Sequence, residues 1–178
     1  MTDLATMLVL GGARSGKSVF AEKLIADSGL ARIYLATAGA GDDEMKARIA
    51  HHRAQRGEGW TTIEEPLALV DALTREATYG RAVLVDCLTL WLSNLMLAER
   101  DPEIEARRLT RFLGVAKYPV VLVSNEVGLG LVPDTPLGRR FRDAQGRLNQ
   151  IVAACVPNVV FIAAGLPLWL KRSSLQEN

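Results

Sequence analysis

Short runs of consecutive apolar residues alternate along this chain with longer segments in which apolar residues recur every three or four positions. The runs Met7–Leu10, Arg32–Ala36, Ala82–Val85, Val120–Ser124 and Val159–Ala163 are rich in Val, Ile and Leu. A strand that is apolar at successive positions is covered on both faces, so these runs predict the interior strands of a parallel sheet. Between them, helical spacing predicts helices over Lys17–Ser28, Asp42–Gln55, Leu67–Ala77, Leu88–Ala98, Glu103–Ala116 and Leu137–Cys155. Strand and helix in alternation is the pattern of an α/β fold, a mostly parallel sheet flanked by helices. In the last helix Leu137, Phe141, Ala144, Leu148, Ile151 and Cys155 share one stripe, expected to face the core. Arg139, Arg140, Arg142 and Arg147 fall on other faces and are expected to be solvated.

The chain has 178 residues with no internal repeat or biased tract, which points to a single domain over 1–178 with a loose tail at 172–178. Its composition, 49% hydrophobic and 23% charged, excludes a low-hydrophobicity disordered chain. The 21 basic and 20 acidic residues nearly cancel, so no uniform positive field draws the protein to nucleic acid, and any anion must be held by a local site. Cys87 and Cys155 each lie in an apolar stretch, far from one another, and are expected to be buried thiols. Residues Met1–Thr6 carry Asp3 and no basic start, and the most apolar segment, Val159–Leu170, is short and contains Pro167. No signal peptide or membrane span is expected, and the cytoplasm is the expected location.

Directly after the first predicted strand stands Gly11-Gly12-Ala13-Arg14-Ser15-Gly16-Lys17-Ser18, which fits the Gly, four residues, Gly-Lys-Ser spacing of a phosphate-binding loop. Glycines let successive backbone N–H groups turn inward toward phosphate oxygens, and the helix starting near Lys17 adds the positive end of its dipole. Lys17 brings a point charge to the β and γ phosphates, and Ser18 offers a hydroxyl to Mg²⁺, a cation that takes oxygen ligands and keeps several waters. A second acid is expected at the end of a strand beside the first, and Asp86 fits. Asp86 would serve as a metal contact, as an N-cap for the following helix, or as both.

The histidines, His51 and His52, are adjacent. Neighbours on a helix stand about 100° apart, so the two do not grip one metal from the same face, which argues against a zinc site. Met45, Ile49 and His52 form an apolar stripe, and Glu44, Arg48, His51 and Gln55 a polar one. His52 therefore reads as a packing residue and His51 as the ring presented to a charged site. An imidazole beside a phosphate loop can act as a nucleophile that splits one difficult transfer into two easier ones. The periodicity alone does not bring His51 to the loop, and for an isolated histidine a purely structural role is the default.

Taken together, the phosphate loop, Tyr34-Leu35-Ala36-Thr37, Asp42-Asp43-Glu44-Met45 with Arg48-Ile49 and His51-His52-Arg53, Trp60 with Glu64, and Asp86-Cys87-Leu88-Thr89 resemble one known family. Ser124-Asn125-Glu126-Val127-Gly128 with Val132-Pro133, and Phe141-Arg142-Asp143 with Gly146-Arg147 and Asn149-Gln150, extend the resemblance over about Met7 to Lys171. The family is the bifunctional adenosylcobinamide kinase and adenosylcobinamide-phosphate guanylyltransferase of cobalamin biosynthesis. The resemblance implies a fold similar to RecA-type NTPases and a homotrimer. It implies phosphorylation of adenosylcobinamide with ATP or GTP, then transfer of GMP from GTP to adenosylcobinamide phosphate with release of pyrophosphate. It assigns His51 as the residue that carries GMP covalently, Lys17 and Ser18 to the triphosphate and Mg²⁺, and Asp86 to a metal or nucleotide contact. Thr37, Ala38, Gly39, His52, Arg53, Ala54, Gln55 and Glu64 correspond to its guanine-nucleotide segments. The glycine-rich stretch Ala38–Gly41 departs from relatives with larger residues there. Asp143 is a candidate kinase base. Two other readings remain: a kinase of another small alcohol with no protein-bound nucleotide, and a nucleotide switch. The second is weakened by the lack of an Asn-Lys-x-Asp guanine-reading motif.

Overall fold

The computed structural model describes residues 4–38 and 57–173. Within them the chain forms β1 (Met7–Gly11), α1 (Lys17–Ala26), β2 (Ala31–Ala36), β3 (Trp60–Glu64), α2 (Leu69–Glu76), β4 (Arg81–Asp86) and α3 (Leu88–Leu97). Then follow α4 (Pro102–Leu113), β5 (Val120–Asn125), α5 (Pro136–Cys155), β6 (Asn158–Ala163) and β7 (Leu166–Lys171). The helix expected over Asp42–Gln55 lies outside the described residues.

The strands make one seven-stranded sheet in the order β3-β2-β4-β5-β1-β6-β7, parallel throughout except for the antiparallel β6–β7 pair. All five expected strands are present. β1 is buried at every position, and β4 and β5 at all but their ends, as their continuous apolar runs require. Alternate side chains divide between the two faces. Met7, Val9, Leu84, Val121 and Val123 pack with Ala21 and Ile25 of α1. Leu8, Val83, Val85 and Leu122 pack with Leu73 of α2, Trp91 of α3, Leu109 of α4 and Leu148 of α5.

Two strands escaped the sequence reading. β3 is a short edge strand with a half-exposed ladder of Thr61, Thr62 and Ile63, so it lacks the continuous apolar run of the interior strands. β7 is the other edge. It exposes Leu166, Leu168 and Leu170, and Pro167, which lacks an N–H for a ladder, is tolerated there. Residues 172–173, expected to be loose, are tethered instead: Ser173 N donates to Asn158 Oδ1 at 3.0 Å and Arg172 lies 4.7 Å over the Trp169 ring.

Three further expectations are corrected. Cys155 is exposed at the end of α5, whereas Cys87 is buried as expected. The core-facing stripe of α5 is rotated: Gln145, Leu148, Asn149 and Val152 are buried, while Leu137 and Ile151 are exposed. Two polar residues enter the core because β5 supplies their partners. Gln145 Nε2 donates to Ser124 Oγ and to Asn149 Oδ1, each at 2.9 Å, and Ser124 Oγ donates to Asn149 Oδ1 at 2.7 Å. Finally, β4 is not beside β1. β5 lies between them, which sets Asp86 two strand spacings, about 10 Å, from the first strand.

Candidate functional site

Six strands end at the same edge of the sheet, and a parallel α/β sheet presents its ligand crevice at those carboxyl ends. Gly11, Thr37, Glu64, Asp86 and Asn125 all stand there, at or just past the ends of β1, β2, β3, β4 and β5.

Residues 11–18 form the strand-to-helix loop that their spacing requires. Ser15 N donates to Gly12 O at 3.3 Å, and Phe20 N donates to Gly16 O at 3.0 Å to open α1. Arg14 and Gly16 adopt left-handed φ angles of 56° and 95°, a conformation that turns successive N–H groups to one side of the chain. A left-handed Arg is uncommon, and backbone outliers of this kind cluster where a loop wraps a ligand. Gly11 has no room for a side chain: a Cβ there would lie 2.4 Å from Ser15 Oγ and 2.7 Å from Ile162 O. The β6–β7 turn braces the loop from behind, with Gly165 N donating to Ser15 O at 2.8 Å. Lys17, 9% exposed, donates from Nζ to Gly12 O at 3.0 Å, so its charge is folded over the loop. Ser15 Oγ is buried and has no partner among the described residues, which suits a cradle for an oxygen-rich anion.

Asp86 is half-buried. Its Oδ2 accepts from Tyr34 Oη at 3.0 Å, and Tyr34 in turn meets Trp60 edge-on at 6.1 Å. The capping alternative fails: the N-cap of α3 is Cys87, with no side-chain cap bond. Burial, then the Asp86 charge, pushes the Cys87 thiol up to about 11, while Lys17 acts on it in the opposite sense. A neutral thiol thus lies within the fields of both charged groups.

Thr37, assigned above to nucleotide contact, is fully buried, and its hydroxyl accepts from Cys87 N at 2.8 Å and donates to Cys87 O at 2.7 Å. Its carbonyl accepts from Asn94 Nδ2 at 2.7 Å. Thr37 therefore pins the end of β2 to the β4–α3 junction, and its hydroxyl is already engaged. Ala38 is half-exposed beside it, and Glu64 is exposed at the end of β3. Gly39, His51, His52, Arg53, Ala54 and Gln55 lie outside the described residues. Asp143 is exposed on α5 and pairs with Arg142 at 3.2 Å.

Sequence reasoning quoted the end of β5 for the family resemblance and gave it no role in the site. Gly11 pairs in register with Asn125, and Glu126 N donates to Gly11 O at 3.0 Å, so Asn125 and Glu126 border the phosphate loop directly. The signal was present in Ser124-Asn125-Glu126, three polar residues closing an otherwise apolar strand.

Among the described residues there is no group of three or more His, Cys, Asp or Glu side chains that could hold a metal. The oxygen donors Ser18 and Asp86 match what Mg²⁺ asks of a protein, one or two ligands with phosphates and water completing the shell. No helix of the described residues is long and apolar enough to cross a membrane.

Comparison with known proteins places the chain in a family. The solved structure of the RadB recombinase superposes with a TM-score of 0.51 at 16% identity, covering 88% of this chain and 73% of that one, a likeness of fold alone. The chain is 53% identical to the bifunctional adenosylcobalamin biosynthesis protein CobP of Pseudomonas aeruginosa, covering 94% of this chain and 98% of that one. It is 39% identical to the bifunctional adenosylcobalamin biosynthesis protein CobU of Escherichia coli, covering 93% and 99%. The family model described as cobinamide kinase / cobinamide phosphate guanyltransferase matches residues 7–170, and the chain belongs to that family.

Proposed function

We propose that this protein phosphorylates adenosylcobinamide and then guanylylates the product, with the phosphate loop as the shared triphosphate site. The observation that carries the reading is the Gly11–Ser18 loop with Lys17 folded over it and Asp86 on the same sheet edge, in a chain that matches the family over nearly its full length.

In the first reaction the hydroxyl oxygen of adenosylcobinamide attacks the γ phosphorus of ATP or GTP, the bond to the β phosphate breaks, a nucleoside diphosphate leaves, and the hydroxyl proton is released to water. Backbone N–H groups of residues 11–16 and the Lys17 ammonium hold the phosphate oxygens as charge shifts toward the leaving group. Ser18 and Asp86 would hold Mg²⁺, which when bound neutralises phosphate charge. In the second reaction a ring nitrogen of His51 attacks the α phosphorus of GTP, pyrophosphate leaves, and a phosphoramidate forms. A phosphate oxygen of adenosylcobinamide phosphate then attacks that phosphorus, freeing His51 and giving adenosylcobinamide-GDP. Ala38, Gly39, His52, Arg53, Ala54, Gln55 and Glu64 are assigned to the guanine nucleotide in this reading, and Thr37 acts by pinning the end of β2 to the β4–α3 junction. The protein works in the cytoplasm as a homotrimer, for which the exposed leucines of β7 supply an apolar edge.

The test is incubation of the protein with Mg²⁺ and GTP labelled at the α or, in parallel, the γ phosphate, without acceptor. Retained label from the α position alone, acid-labile and absent in His51→Ala, supports the covalent route. No retained label leaves a simple kinase and removes the histidine intermediate.

A further inference from the structure

We propose that the side-chain amide of Asn125 hydrogen-bonds the terminal phosphate of the bound nucleoside triphosphate, so that this residue distinguishes triphosphate from diphosphate. The inference rests on reading residues 11–18 as the triphosphate cradle.

Strand order supplies the first argument. β5 lies between β1, which carries the loop, and β4, which carries Asp86. The end of β5 is therefore about 4.8 Å from each, in the gap a phosphate chain crosses between the loop and the Asp86 carboxylate.

Side-chain alternation supplies the second. Val121 and Val123 pack on the α1 face with Ala21 and Ile25, and Asn125 continues their parity. Asp86 continues the parity of Ala82 and Leu84 on the same face. Lys17 and Ser18 begin α1 itself, so Asn125, Asp86, Lys17 and Ser18 share one side of the sheet. Ser124, of opposite parity, turns instead toward Gln145 and Asn149 on α5.

The hydrogen bonds supply the third. Both backbone groups of Asn125 are clamped by side chains from two different helices: its N–H donates to Thr89 Oγ1 at 2.8 Å, and its carbonyl accepts from Asn149 Nδ2 at 3.1 Å. The next residue is fixed to the loop through Glu126 N and Gly11 O. The neighbouring polar side chains are engaged, Ser124 with Asn149, Glu126 with Gly128 N, and Asp86 with Tyr34. The half-buried amide of Asn125 forms no hydrogen bond with the described residues. A held backbone with an unengaged amide suits phosphate, since its N–H groups donate to phosphate oxygens without the repulsion a carboxylate would bring.

The experiment is calorimetric titration of the full chain, with Mg²⁺, by adenosine diphosphate and by the β,γ-imido triphosphate of adenosine. Asn125→Ala should lower affinity for the triphosphate about tenfold, 1.4 kcal/mol, as expected for a lost bond to a charged group, with diphosphate affinity within twofold of the parent. Asn125→Asp, which keeps the shape and reverses the electrostatics, should lose at least as much triphosphate affinity and serves if the alanine variant folds poorly. An unchanged ratio of the two affinities in either variant overturns the proposal. An equal loss for both nucleotides also overturns it, because the residue would then be supporting the loop. Binding requires neither cobinamide nor a reactive histidine, so this failure would leave the proposed reactions standing. A parent protein that binds neither nucleotide would refute the triphosphate cradle itself.

Discussion

Replacing Gly11 by alanine tests whether the phosphate loop is set by local sequence or by packing against β6. The new Cβ would fall 2.4 Å from Ser15 Oγ and 2.7 Å from Ile162 O. Ser15 Oγ is the end of a small side chain and can rotate away. Ile162 O cannot, because β6 is held by β1 on one side and β7 on the other, with Ile162 paired to Gly11 and Pro167. Relief requires β1 and β6 to part by several tenths of an ångström in a buried sheet, where overpacking costs about 1–3 kcal/mol. A backbone obstacle places Gly11→Ala in the upper half, about 2–3 kcal/mol. At about 2–4 °C per kcal/mol for a chain of this size, the melting temperature should fall by about 4–12 °C. Gly12→Ala is the control, since a Cβ there meets nothing within 4 Å and φ is not left-handed. It should change stability by less than about 0.5 kcal/mol. Urea unfolding without nucleotide measures both, separating folding from ligand binding. Equal midpoints for Gly11→Ala and Gly12→Ala would refute the argument that the loop is wedged against β6.

The buried polar cluster predicts an asymmetry. Asn149→Ala removes the acceptor of the Ser124 hydroxyl, which keeps only the bond it accepts from Gln145, and the side-chain donor to the Asn125 carbonyl, and should cost about 2–5 kcal/mol in urea unfolding. Gln145→Met removes two bonds together with Gln145 Oε1, buried and unsatisfied among the described residues, and should stay within about 1 kcal/mol of the parent. Equal losses would contradict the bond assignment. For the thiols, Cys155 should alkylate readily at pH 8 while Cys87 resists until the protein unfolds. Because the Cys87 thiol is pushed from an ordinary 9.0 up to about 11 in the folded protein, its contribution is present below pH 9 and lost as pH rises toward 11. Relative to Cys87→Ala, the parent should lose about 2–3 kcal/mol across that window, and parallel pH profiles would show that the thiol does not titrate this way.

What the sequence disclosed and what it hid divide along a physical line. The interior strands were legible because burial on both faces forces continuous apolar runs, and the phosphate loop because Gly11 has no room for a side chain and Gly16 takes a left-handed turn that glycine adopts without strain. The edge strands were not, since an edge has one covered face and one open ladder, and Trp60–Glu64 resembles many exposed loops. The face of α5 was misjudged for a related reason. Apolar spacing assumes that a core is apolar, whereas Gln145 and Asn149 are buried because Ser124 and Asn125, far off in sequence, supply the partners. The same long-range fact misled the placement of Asp86, because strand order is set by crossover connections that periodicity does not record. These two errors share one location. Both arise at the carboxyl end of β5, the strand inserted between the loop and the acid, where polar residues end an apolar run. That end answers to a ligand crevice and to the two helices that hold it, and so it departs from the hydrophobic pattern that explains the rest of the sheet.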